Sequence, residues 1–123
     1  MLSNMTSGEL SKLLSLATGW ELTPRTLVEV GSRSFTLKRL INNAFGAGRG
    51  DDRLPGIVLE PYASGPIQGV SPREELEAAL TEYYGVRGWD PGTGVPYEET
   101  VKSLGLSEHA ARLSVQLPRR EAA

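Results

Sequence analysis

Cysteine is absent from the 123 residues, and histidine occurs once, at His109. The first absence removes disulfides, thiolate metal ligands, iron–sulfur ligation and cysteine nucleophiles together. A single imidazole makes a metal site only with several carboxylate partners. No run of about 18 apolar residues is present, so no helical membrane span is expected. Met1-Leu2-Ser3-Asn4-Met5 lacks the basic and apolar regions of a signal peptide. Together with the missing cysteine, this leads to the expectation of a cytoplasmic chain. An excess of one charge is missing too. Thirteen basic and 15 acidic side chains give a net charge of -2, without the concentrated basic face that nucleic acid requires. Arg119-Arg120 is too short to count as one.

Glycine (14) and proline (8) are plentiful instead. Most of them fall between Gly46 and Pro96, which predicts a loop-rich middle with helices towards both ends. The length suits one small domain and not two cores.

Thr6 or Ser7 caps a first helix, with Glu9 in its opening turn and an apolar stripe of Leu10, Leu13, Leu14 and Ala17. Gly19 stops it, and Trp20 is expected to bury against the helix end. Thr23-Pro24 starts a second helix that runs to about Asn43 or Phe45. Its stripe reads Leu27, Val30, Ser34, Leu37, Ile41 and Ala44, widened by Val28 and Phe35. Gly31 is expected to allow close helix–helix approach. Arg33, Lys38 and Arg39 are expected on a solvated face.

Gly46, Gly48 and Gly50 alternate after this helix. They follow a helix rather than a strand and lack a third glycine at the dinucleotide spacing, which excludes a Rossmann fingerprint. Asp51 and Asp52 could serve a hard cation or a general base, but two carboxylates fill too few ligand positions. The favoured reading is a turn in which aspartates bond nearby amides and pair with Arg49 or Arg53.

Ile57 to Tyr62, bounded by Pro55 and Pro61, reads as a strap over the helices rather than a central strand. Ala63 to Val70 is a loop. Ser71-Pro72-Arg73-Glu74 reads as a capping box for a third helix with Leu76, Ala79, Leu80 and Tyr83 buried. Gly85 or Gly88 ends it. Tyr83, Tyr84 and Trp89 are expected to form a small aromatic core locking that end. After a turn from Asp90 to Pro96, a fourth helix carries Glu98, Glu99, Val101 and Leu104, with Gly105 as its stop. A short fifth helix begins near Ser107, and Arg119 to Ala123 is expected to fray. His109 is expected to be exposed. The fold class is therefore all-α: four to five helices around a long Gly/Pro-rich central strap.

The order of motifs is specific. It runs Ala17-Thr18-Gly19-Trp20, Leu22-Thr23, Gly31, Arg33, Leu37, Arg39, Phe45 and Asp51-Asp52-x-Leu54-Pro55. Tyr83-Tyr84-x-x-Arg87-Gly88-Trp89-Asp90, Gly94-x-Pro96 and Leu104-Gly105-Leu106 follow. In this the chain resembles the C-terminal helical domain of the tungsten-containing aldehyde ferredoxin oxidoreductases. The resemblance covers a core of about residues 8–106, leaving 107–123 as a tail. It implies a full-length enzyme with a bis-pterin tungsten or molybdenum cofactor and a four-iron four-sulfur cluster, oxidising aldehydes or related carbonyl compounds with ferredoxin as acceptor. The family's cluster cysteines and its Asp-x-x-Gly-Leu-Cys type pterin motif have no counterpart here, nor does its N-terminal β domain. Gly46-Ala47-Gly48-Arg49-Gly50 stands where the family reads Arg-Glu-Gly.

Three functional readings follow. The first is a fragment or separately encoded piece of such an oxidoreductase. It binds no cofactor alone and needs a larger chain or the missing N-terminal domains, with Arg49, Asp51, Asp52 and Arg53 as candidates to face them. The second is a free-standing helical interaction module. The third, an enzyme in its own right using Asp51, Asp52 and Arg49 or Arg87, ranks last because no nucleophile or base accompanies the aspartates. A homo-oligomer is compatible with each.

Overall fold

The computed structural model describes residues 5–120, apart from the side chain of Glu74. The first helix, α1 (Ser7–Thr18), starts at Thr6, whose Oγ1 accepts the Glu9 N–H at 3.2 Å while Glu9 Oε2 accepts the Thr6 N–H at 2.8 Å. These bonds from Thr6, first the backbone N–H and then the hydroxyl, hold the Glu9 carboxyl below the usual glutamate value. Gly19, at φ 75°, takes the left-handed conformation that ends α1. Thr23 caps α2 (Pro24–Ala44), with Pro24 in the first turn. Two short 3-10 turns follow, Arg49–Asp51 and Gly56–Leu59. Helix α3 (Arg73–Arg87) ends at Gly88, and α4 (Glu98–Ser103) and α5 (Ser107–Arg112) complete the chain. Among the described residues the extended pairing is a single bridge between Trp89 and Pro96. The all-α reading therefore holds.

The core lies where the C-terminal half of α2 meets α4 and α5. Leu40, Val101, Leu106 and Ala110 are buried together, with Leu37, Leu104, Leu113, Val115 and Leu117 packed around them. Tyr84, Trp89 and Leu59 are buried as well. Tyr83 meets Trp89 edge to face at 5.8 Å, which is the aromatic lock expected at the end of α3.

Several expectations are corrected. Of the expected stripe on α2, Leu37 packs against the core while Ser34, Ile41 and Ala44 are exposed, and the buried positions are Thr36, Arg39 and Leu40. Two of those three are polar, so apolar periodicity misses the face. Leu10, Leu13 and Ala17 are exposed on α1, and Trp20 is 70% exposed rather than buried. No α1 residue enters the buried cluster, because α1 packs mainly against α2. A Cβ on Gly31 would meet open space, so no close helix approach explains it.

On α3 it is Tyr84 that is buried, while Ala79 and Tyr83 are exposed. Ser71 Oγ accepts the Arg73 N–H at 3.4 Å and donates to the Leu59 carbonyl at 2.9 Å; the Glu74 half of the expected box lies outside the described residues. The strap touches the core chiefly through Leu59, with Ile57 and Val58 exposed. The expected fraying does not begin at Arg119. The Glu98 N–H donates to the Pro118 carbonyl at 3.0 Å, Arg119 pairs with Glu98 at 2.8 Å, and Arg120 lies 5.1 Å from the Tyr97 ring centroid. Residues 121–123 lie outside the described region.

Candidate functional site

Arg39, expected on a solvated face, is instead only 7% exposed and lies among polar and aromatic partners. Three segments converge on it. From the turn after α2, Asp52 offers both oxygens to Nη1, at 2.9 Å for Oδ1 and 2.7 Å for Oδ2. From the loop before α4, the Gly94 carbonyl accepts from Nε at 2.7 Å. From the end of α3, Tyr84 and Trp89 bring their ring centroids to 5.6 Å and 5.2 Å from the guanidinium carbon. A buried cation is tolerated when it is paired and hydrogen-bonded, and these contacts pair Arg39 and satisfy its Nε and Nη1.

The Tyr84 hydroxyl donates to Asp52 Oδ2. Burial, and then this bond to a carboxylate, push the Tyr84 hydroxyl above the ordinary tyrosine value, against the opposing pull of Arg49 and Arg39. Gly94 has φ 72°, and a Cβ there would collide with the Arg39 guanidinium. Glycine is required at this position for both reasons.

Arg49 ties the same turn to α3. Its backbone N–H donates to the Thr93 carbonyl at 2.9 Å, and Nη2 reaches Glu77 Oε2 at 2.6 Å. Its guanidinium carbon lies 5.1 Å from the Tyr84 ring centroid. The ion-pair partner of Asp52 is thus Arg39, not Arg49 or Arg53, and Asp51 makes no ion pair among the described residues. Asp51 behaves as expected of a turn aspartate, accepting the Gly48 N–H at 2.9 Å. Of the four loop candidates, Arg49 and Asp52 are half-buried and engaged with Glu77 and Arg39, while Asp51 and Arg53 are exposed.

An open cavity of about 500 Å³ lies between α2, this turn and α3, and includes Phe35, Lys38, Asp51, Arg53, Leu80 and Trp89 in its lining. Asp52 faces it but is committed to Arg39 and Tyr84, which removes it as a free base or metal ligand. Among the described residues no group of three or more His, Cys, Asp or Glu could hold a metal ion. With no thiolate in the chain and both loop aspartates engaged, these donors do not fit a tungsten centre or an iron–sulfur cluster. His109 is exposed. No described helix is long and apolar enough to cross a membrane.

Arg39 is the residue that sequence reasoning misplaced. Its available signal was a surplus: two aspartates and an aromatic pair required a cation, and Arg39 lies one residue before the most buried leucine of α2.

The sequence model of the family described as "Aldehyde ferredoxin oxidoreductase, domains 2 & 3" matches residues 2–106. The "Aliphatic sulfonate oxidoreductase, WOR-like subunit" of Pyrococcus furiosus is 35% identical, over 73% of this chain and 15% of its own length. The "Tungsten-containing aldehyde ferredoxin oxidoreductase" of the same organism is 36% identical, over 78% of this chain and 16% of its own. The protein of that name from Pyrococcus abyssi gives the same figures. The chain therefore spans about a sixth of the length of these relatives. No solved structure matches it.

Proposed function

The chain belongs to the aldehyde ferredoxin oxidoreductase family, and from that membership we propose that it is the C-terminal helical part of an oxidoreductase of this type. The assembled enzyme would oxidise an aldehyde or related carbonyl compound and pass electrons to ferredoxin. Tungsten, or molybdenum in its place, with a bis-pterin and a four-iron four-sulfur cluster, would be held by the remaining domains, and this part would be inactive alone. The chain's share in the reaction is to dock on those domains and to present a rigid turn, Arg49 to Leu54, locked by Arg39.

The observation that carries this reading is the exposed apolar surface of the first two helices. Leu13 (54%) and Leu16 (78%) on α1, Trp20 (70%) in the loop that follows and Val28 (67%) on α2 face solvent, and exposed apolar surface is where partner domains dock. On this reading the loop's contacts to a partner fall to Asp51 and Arg53. The alternative, a free-standing interaction module, is favoured by one feature: the Arg39 clamp and the core beside it close within this chain.

The test is capture of the tagged chain from its own cell extract, with metal analysis of the eluate. The expected result is a larger protein eluting with tungsten or molybdenum and with iron. A metal-free chain eluting alone would set the oxidoreductase reading aside.

A further inference from the structure

We propose that the cavity between α2, the Arg49–Leu54 turn and α3 binds a small molecule with an apolar body and one anionic group. This goes beyond the docking reading and does not rest on it. At about 500 Å³ the cavity falls within the range of small-molecule sites. Phe35, Leu54, Leu76, Leu80, Tyr83 and Trp89 make the apolar part of its lining. Arg87 stiffens the aromatic part, its guanidinium carbon lying 5.0 Å from the Phe35 and 5.2 Å from the Tyr83 ring centroid.

The charge of the lining sets the sign of the ligand. Lys38, Arg39 and Arg53 stand against Asp51 and Asp52. Arg39 and Asp52 neutralise each other, and Asp51 turns one oxygen back to the Gly48 N–H. Lys38 and Arg53 make no ion pair among the described residues. The lining therefore carries a surplus positive charge in a chain whose net charge is -2, and an anion is drawn to it. The site is also built in advance. The buried Arg39 is held by Asp52 and Gly94, so the wall behind the ligand does not have to reorganise, while the exposed Lys38 and Arg53 supply the free charge. The chemistry that fits is an aromatic or branched aliphatic carboxylate, bound without reaction.

The test uses 3-phenylpropionate, its neutral amide and 3-phenylpropylamine, which share one body and differ in charge. Replacing the exposed Trp20 (Trp20→Phe) leaves Trp89 as the fluorescent reporter. The carboxylate is expected to give a saturable change and to bind about fivefold tighter than the amide, with the amine weakest. Lys38→Ala with Arg53→Ala, both at exposed positions, should abolish that preference and leave the melting curve unchanged. Equal binding of the three compounds, no saturable change, or an anion preference that survives the double substitution would overturn the proposal.

Discussion

Arg39 and Asp52, thirteen residues apart in sequence, are joined at a single nitrogen: Nη1 lies 2.9 Å from one aspartate oxygen and 2.7 Å from the other. This contact ties the end of the long helix to the turn that follows it. Through the Gly94 carbonyl and the Tyr84 hydroxyl it also ties both to the C-terminal half of the chain.

Removing one partner leaves the other charge stranded. Arg39→Ala is expected to destabilise the chain by about 3 kcal/mol, the low end for a buried pair because Asp52 keeps some solvent contact. Asp52→Asn should cost less, since the amide oxygen still accepts from Nη1. Urea denaturation of the two single variants and of the double variant measures the coupling. Additive losses would show that the pair does not act as a unit.

Gly94 and Gly105 provide a matched comparison. Both have positive φ, 72° and 65°, but a Cβ on Gly105 meets open space, whereas on Gly94 it strikes Arg39. Gly105→Ala should cost about 1 kcal/mol from backbone conformation alone. Gly94→Ala should cost at least twice that and shift the Trp89 emission, because the guanidinium must leave its place beside the indole. Equal losses in thermal melts would argue against the close approach.

The protonated Tyr84 hydroxyl is favoured in the folded state. A raised folded value means that this contribution is complete below the ordinary tyrosine range, about pH 10, and is lost as pH rises through the folded value. Alkaline unfolding should therefore begin above pH 10 in the native chain. In Tyr84→Phe this component of the alkaline loss should be absent and stability at neutral pH lower by about 1 kcal/mol. Denaturation midpoints between pH 7 and pH 11 report both.

The helix boundaries were legible because they are local. Thr6, Thr23, Gly19 and Gly88 act within one turn of themselves, and each starts or stops a helix where its chemistry says it should. The aromatic lock was legible too, because Tyr83, Tyr84 and Trp89 are close in sequence. The clamp was not. It depends on which face of α2 turns inward, and that face carries Thr36 and Arg39, which hydropathy assigns to solvent. Trp20 failed for the opposite reason. Its apolar character says that it wants cover, not that this stretch of chain supplies any.

Trp20 and the exposed apolar residues of the first two helices form the proposed docking surface. Hydroxyl-radical footprinting of Leu13, Leu16, Trp20 and Val28 should be compared between the isolated 123-residue chain and the native protein purified from its own cells. Ready oxidation is expected in the isolated chain and strong protection in the native material, whether the covering domains belong to the same polypeptide or to another. Equal oxidation in both would contradict that expectation, and this surface would then have no docking role.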